Sequence, residues 1–581
     1  MVENRTWHGP GEPTYPLARW HREAAEEVKR LEKTWLEEGV SDPSELLYAL
    51  GLALAVAKAA RHGKAVEAWE AEAALSAAAR ALGVSSPARV TLLLKAFKPL
   101  RRLAPHCYVA LAAQASRLVP DCRAAYEALA ALEETLREHG EELRGRAWPL
   151  VEAVFALSNL VVEQRWCFLS IQEPMVARMY TLLRGLGGEL RVMAEAAALE
   201  AGLRLPGVDL RSRAEELLAE LERMEEGEPS REVADWAGAL AFEPGELRRR
   251  VARALRKELA FALARRLVSD GDLDAAAKLF KEALLIVTAP AAWFQDLPAT
   301  LSWVARCSVL KAGSASELAS EAKRFEDLWE EAEKLRFVAT HFDVAPHLAK
   351  YLAYLALAGR GGEASKLLEE EQPLLRSLPC GGVELKLLLK ALGVEVGGIA
   401  LPEVAAALSE HVDDPLRPAF RALAGLAKDA GEECKALEGE RRETCRLAVS
   451  AVGGSARAAA HLKRRLLREL DEYAGARLRE SADAGEREAV ERFRRELHEF
   501  VEERDAASVV QLFAPKSSLG SFALMLWAFV SGDGDLARAL AKHAYLIFKG
   551  GLLRRLFREA AEARSSDELK LALLKLFYLH I

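Results

Sequence analysis

LAFALARRLVSDGDLDAAAKLFKEAL, residues Leu259 to Leu284, reads as a short apolar helix, a turn and a second, amphipathic helix. The plan returns in FALMLWAFVSGDGDLARALAKHAYLIF, Phe522 to Phe548, around the same tetrapeptide Asp-Gly-Asp-Leu. A helical hairpin that recurs within one chain, where strand signals are almost absent, predicts an array of stacked helices. Such arrays are binding surfaces far more often than they are enzymes.

The rest of the chain agrees with that class. At 581 residues it is too long for one small core, so it forms several domains or one elongated array. A hydrophobic share of 51% with 29% charged residues belongs to a folded protein, not a disordered one. Ala, Leu, Glu and Arg dominate, and these favour helix over strand from end to end. An all-α fold with no sheet is expected. Asn occurs only at Asn4 and Asn159, and Gln is scarce. Few thermolabile amides with abundant Glu and Arg make the composition of a thermophile's protein, although GC-rich coding biases a chain the same way.

The net charge of −7 gives no overall basic excess of the kind a dedicated nucleic-acid binder carries. MVENRTWHGPGEPTYP at the start has no apolar core and is not a signal peptide. The most apolar run, Leu47 to Val56, is too short to span a bilayer and is closed by Lys58 and Arg61. A cytoplasmic protein without membrane contact is expected. The cysteines Cys107, Cys122, Cys167, Cys307, Cys380, Cys434 and Cys445 form no CxxC pair and read as reduced, buried fillers. On one unbroken helix Cys434 and Cys445 would stand about 16 Å apart and could not bond. Only a chain reversal near Gly439 would join them.

Punctuation gives the organisation. Residues 1–13 form a loose leader, and a polar helix follows from Leu17 to Glu38. SDPSE (Ser41 to Glu45) and SSPARV (Ser85 to Val90) are helix starts, with a cap residue and an early proline. Pro105, Pro120 and Pro149 punctuate further helices. The polar stretches at 203–212 and 225–230 mark one boundary, and the glycine-rich 392–403 marks another. The expected domains are 14–228, an N-terminal helical bundle; 229–392, helical hairpins; and 393–581, further hairpins.

Within 257–290 the chain resembles a tetratricopeptide repeat. Leu263, Ala264 and Leu267 stand at the large, small and large places of the first helix, and Gly271 stands at the turn. Ala276, Phe280 and Ala283 fill the small, aromatic and small places of the second helix, and Pro290 closes the unit. Small residues let two helices approach while large ones fill the groove between hairpins. A second match runs from Ala349 to Glu370, with Gly359, Ala364 and Leu368 in place and Leu352 where a small residue is expected. A third centres on Gly534 and Ala539, with Trp527 at the small place and His543 at the aromatic one. The resemblance implies a divergent, irregular tetratricopeptide-like α-solenoid.

Motifs for chemistry are few. Asp270, Asp272 and Asp274 alternate like a calcium loop, but its sixth and twelfth places hold Ala275 and Lys281. Asp272 reads instead as a helix cap. Asp413 and Asp414 precede Pro415 and read as a helix start, since a magnesium site would need a second, facing acidic cluster. His341 and His347 are six apart and point to opposing sides of a helix. FAPKSSLGS (Phe513 to Ser521) lacks the glycines of a phosphate loop. No catalytic, cofactor-binding or metal residue is expected.

Basic clusters remain. Arg249, Arg253, Arg256 and Lys257 lie along one helix side, with Arg464 and Arg465, and Arg554 and Arg555, in two similar runs. They would be solvated faces paired with Glu, or else contacts to a partner or nucleic acid. The expected function is a non-catalytic protein-interaction scaffold or regulatory sensor module that binds a peptide or partner protein. The competing reading is a helical nucleic-acid-binding protein, in which Glu would not interleave with the basic residues. The apolar C-terminus, ELKLALLKLFYLHI (Glu568 to Ile581), should be buried on at least two sides.

Overall fold

The computed structural model describes residues 44–82, 94–105, 107–108, 111, 188–200, 209–240, 243–286, 290–335, 344–397, 399–427 and 429–581. The leader, the helix expected at 17–38, the start at 85–90, the Pro120 and Pro149 punctuation, His341, Cys122 and Cys167 lie outside them. Among the described residues there are 23 helices of seven or more residues and no strand. One isolated bridge joins Val412 to Pro515. The described part of the chain is all-α, as its helix-former bias dictates.

Two compact units divide between Leu263 and Ala264. The first contains α1 (Ser44–Arg61), α2 (Ala68–Leu82), α3 (Gly188–Glu200), α4 (Leu210–Arg223), α5 (Arg231–Leu240) and the start of α6 (Pro244–Asp270). Helices α1 and α2 pack through alanines, with Ala53, Ala57, Ala71, Ala74 and Ala78 buried between Leu50, Leu54 and Leu75. The lack of bulk brings the two backbones close. Helix α3 packs on α4 and α5. Its buried Glu195 is held by Arg191 at 2.8 Å and by Arg213 at 3.0 Å.

The second unit continues with α7 (Leu273–Leu285), α8 (Pro290–Lys311), α9 (Ala315–Ala322), α10 (Arg324–Leu335), α11 (Ala345–Leu357) and α12 (Gly361–Glu370). Then come α13 (Val383–Ala391), α14 (Leu401–Ala407), α15 (Arg417–Leu423), α16 (Gly439–Val452), α17 (Ala456–Glu480) and α18 (Ala484–Glu503). The last are α19 (Ala506–Phe513), α20 (Ser518–Val530), α21 (Gly534–Ile547), α22 (Gly551–Glu562) and α23 (Ser566–His580). Most packing is between helices adjacent in sequence: α7 on α8, α10 on α11, α16 on α17, α20 on α21, α21 on α22 and α22 on α23.

One device makes these turns. At Gly271, Gly359 and Gly532 φ is +90°, +75° and +85°, and the next residue's N–H reaches back over the helix end. Those bonds are Asp272 to the Leu267 carbonyl at 2.9 Å, Arg360 to Leu355 at 2.8 Å and Asp533 to Ala528 at 2.9 Å. The left-handed residue ends the helix and satisfies its last carbonyls. The first two turns fall at the glycines expected from sequence, and Leu263, Ala264, Leu267, Ala276, Phe280 and Ala283 are all buried.

The third hairpin corrects the register. Gly532, not Gly534, is the left-handed residue, and Asp533 caps α21 by accepting the Leu536 N–H at 2.9 Å. In the first hairpin Asp272 is the cap, accepting from Ala275 at 3.3 Å. The shared Asp-Gly-Asp-Leu is therefore offset by two residues between them, and the equivalent unit is the dipeptide Gly-Asp. Met525 and Ala541, rather than Trp527 and His543, occupy the small and aromatic places, and both are buried.

The reversal at Gly439 (φ +52°) is also present. It separates the 3₁₀ turn Cys434–Ala436 from α16, so Cys434 and Cys445 meet with Cα atoms 5.6 Å apart and form a disulfide. The general reading of the cysteines as reduced fillers does not hold for this pair; the condition set for their bridge, a reversal near Gly439, is met, because the two never share a helix. Cys307 and Cys380 are free.

Contacts between distant elements close the second unit. Helix α23 packs on α8, α13, α20 and α22, with Leu569, Leu573, Leu574, Leu576, Phe577 and Tyr578 buried. Its apolar girth has no free side, as the sequence requires. Arg306 of α8 donates to the Tyr578 and Leu579 carbonyls at 2.7 and 2.6 Å, closing the helix end. A strict solenoid contacts only its neighbours, and this unit folds back on itself.

Candidate functional site

The basic residues singled out in sequence are divided between the units. In the first, Arg253 pairs with Glu225 at 2.6 Å, and Arg256 with Glu222 at 2.5 Å and Glu225 at 2.9 Å. Arg249 donates to the carbonyl of Gly245 on its own helix at 3.2 Å, and Lys257 is buried. Beside them Arg248 is buried, donating to Glu189 at 2.7 Å and to the Glu226 carbonyl at 2.7 Å. This run fastens α6 to the acidic end of α4.

In the second unit Arg465 reaches Glu440 at 3.2 Å and Glu443 at 3.4 Å, both on α16. Its neighbour Arg464 is exposed and donates to its own helix carbonyl at Ala460, at 3.3 Å. Arg554 pairs with Glu486 and lies over the Tyr545 ring, 4.5 Å from its centroid. Exposed Arg555 lies over the Gly271 turn. Glu side chains thus interleave with the basic ones, and each run is anchored to a different helix.

A second cluster surrounds Asp413 and Asp414. The Asp413 N–H donates to the Ala514 carbonyl at 2.8 Å, and Lys516 donates to that of His411 at 2.9 Å. His411 Nδ1 meets Ser517 Oγ at 2.8 Å, and the same hydroxyl caps α20 by accepting the Gly520 N–H at 3.0 Å. A Cβ on Gly520 would come within 3.0 Å of the His411 carbonyl oxygen, so the two segments meet at a residue with no side chain. Asp414 accepts from Arg417 at 2.6 Å and from Arg441 at 2.7 Å.

The carboxyl of Asp413 lies within electrostatic reach of Glu469 and Tyr473 of α17. Burial pushes Asp413 above the usual carboxylate range, with Arg441 opposing and Asp414 adding. Burial likewise raises Glu469, where Arg465 opposes and Asp413 adds. The Tyr473 phenol is raised by burial and then by Glu469, Asp413 and Glu472, yet its side of the ring toward solvent leaves it 49% exposed. Exposed Tyr473 thus shares α17 with half-buried Glu469, whose carboxyl Arg465 reaches at 4.0 Å, and burial outweighs the nearby guanidiniums at both acids. The sequence singled out Asp413 with Asp414 and no second acid; Glu469 comes from a helix that reads as basic, and only folding brings it within electrostatic reach of Asp413.

Deeper in this unit burial decides the ionisable groups. Arg306 is pulled down to about 10, His347 to about 3 and His543 to about 4, in each case by desolvation first. Glu384 is lifted to about 8 for the same reason. Among the described residues no group of three or more His, Cys, Asp or Glu could hold a metal ion, and no helix is long and apolar enough to cross a membrane. No protein family matches this chain, and neither a curated protein nor a solved structure is similar to it.

Proposed function

We propose that this chain is a non-catalytic interaction protein, a divergent tetratricopeptide-like array that holds a basic peptide segment of a partner protein against α17. The face formed by Asp413, Glu469 and Tyr473 supports this reading most. A lysine or arginine placed there would add positive charge beside two carboxyls that burial raises although Arg441 and Arg465 oppose it. The Tyr473 ring supplies apolar area and a face for a cation, and Tyr is among the residue types that dominate binding energy at interfaces.

The test is fluorescence anisotropy with a labelled lysine- and arginine-rich peptide of about a dozen residues and an acidic control of equal length. Tyr473→Ala should weaken binding of the basic peptide about tenfold, the equivalent of ~1.4 kcal/mol. Glu469→Lys should abolish it. Equal binding of the basic and acidic peptides, or no effect of either substitution, would contradict the reading.

Nucleic acid is the second reading, and the exposed guanidiniums of Arg249, Arg464 and Arg555 are what favour it. Its signature would be affinity that falls steeply between 50 and 200 mM salt, roughly as the number of phosphates contacted.

A further inference from the structure

The interior of the second unit contains a carboxyl that nothing answers. Glu384, the second residue of α13, is fully buried, and neither of its side-chain oxygens has a hydrogen-bond partner. Four helices and a turn pack on α13, namely α11, α14, α20, α23 and the 3₁₀ turn Pro379–Gly382. Helix α20 has no ionisable side chain. Helix α11 brings buried His347 and Lys350, and α14 brings exposed Glu403. From α23 come Lys575, His580 and Tyr578; Lys575 is tied to Glu559 at 3.1 Å, and the Tyr578 hydroxyl donates to the Lys350 carbonyl at 3.5 Å. The turn brings Cys380. No cation acts on the Glu384 carboxyl: its ionisation is set by burial, opposed by its own backbone N–H.

The chain leading into α13 is held in an uncommon conformation. Cys380, Gly381 and Gly382 have φ of 53°, 61° and 78°, three left-handed residues in succession. Cys380 is the only non-glycine residue with positive φ among the described residues. A backbone of this kind persists only while surrounding packing enforces it. Gly382 is wedged against the Leu375 carbonyl, which a Cβ would approach to 3.0 Å, whereas Pro379 and Gly381 are exposed. A strained surface turn thus stands two residues from an uncompensated buried acid.

We propose that residues 379–384 form a pH-operated latch, in which loss of the Glu384 proton releases the strained turn and carries the first turn of α13 out to water. A carboxylate cannot stay unpaired in this interior, and the exposed turn beside it gives the shortest way to solvent. The sign follows from linkage. The buried acid keeps its proton up to about pH 8, while an exposed one loses it near 4.5, so the closed form is favoured less and less as pH rises between those values.

Amide hydrogen exchange tests this on the full chain, with rates corrected for the intrinsic effect of pH. Between pH 6 and pH 9, protection across 375–391 should fall on the order of tenfold or more, while α17 and α18 stay protected. Glu384→Gln, with the same shape and no charge to lose, should flatten that dependence. Protection at 375–391 that does not change with pH in the unmodified protein would overturn the latch, whether or not the variant folds. So would an equal loss in α17 and α18, which would mean general unfolding, or an unchanged pH dependence in a folded Glu384→Gln protein.

Discussion

At the scale of single residues, the second unit tolerates polar groups in its interior by keeping them neutral or closing helix ends with them. His543 is buried, edge-on to Phe513 at 4.8 Å, with its Nδ1 unpartnered. Its pKa is lowered to about 4, against an ordinary value of 6.5. Its neutral form stabilises the fold above pH 6.5. That contribution is lost as pH falls toward 4, because the unfolded chain takes up the proton first. The slope is on the order of 1.4 kcal/mol per pH unit for one such group. Urea denaturation at pH 7, 6 and 5 should show the loss, and His543→Leu should reduce its slope. A variant with the parent's slope would remove His543 as the cause. None of this was legible in the sequence, where His543 stood only as a substitute for an aromatic residue.

At the scale of elements, the punctuation was legible and its register less so. Gly271 and Gly359 turn where the helical pattern breaks, because a left-handed residue is cheapest without a Cβ. The tetrapeptide Asp-Gly-Asp-Leu misled at the third hairpin because Gly532 and Gly534 both satisfy the composition of a turn. Only the backbone shows which is left-handed. The disulfide was conditional in the same way: spacing forbids it on one helix, and Gly439 decides that there are two.

The glycines also separate two physical roles. Gly532→Ala places a Cβ in open space at φ +85° and should cost about 1 kcal/mol. Gly520→Ala has an ordinary helical backbone but drives a Cβ into the His411 carbonyl at 3.0 Å. It should cost more, roughly 1–3 kcal/mol, and also displace the loop that carries Asp413. Thermal denaturation of both variants checks the order, and Gly520→Ala proving the milder would contradict the close approach at His411.

At the scale of the whole molecule, local pattern predicted helices and hairpins but not closure. Helix α23 meets α8, α13 and α20, elements that the chain left long before. Its apolar circumference was the one visible sign that something must surround it. Removing Leu574 to Ile581 deletes Leu574, Leu576, Phe577 and Tyr578 from the core, together with the carbonyls that Arg306 engages. At roughly 1.5–3 kcal/mol for each large side chain, the truncation should leave the second unit unfolded or insoluble at room temperature. A truncated chain with the parent's melting temperature would show α23 to be dispensable.

The acidic face belongs to this scale as well, since Asp413 and Glu469 become neighbours only when the loop before α15 settles against α17. The most direct measurement is hydrogen exchange of the intact protein with the basic peptide and, separately, with a DNA duplex, each at 50 and 200 mM salt. With the peptide, added protection should appear at 411–416 and 466–476 and persist at the higher salt. Protection by the duplex at Arg249 to Lys257 or around Arg464, lost at the higher salt and with no response to the peptide, would contradict the account.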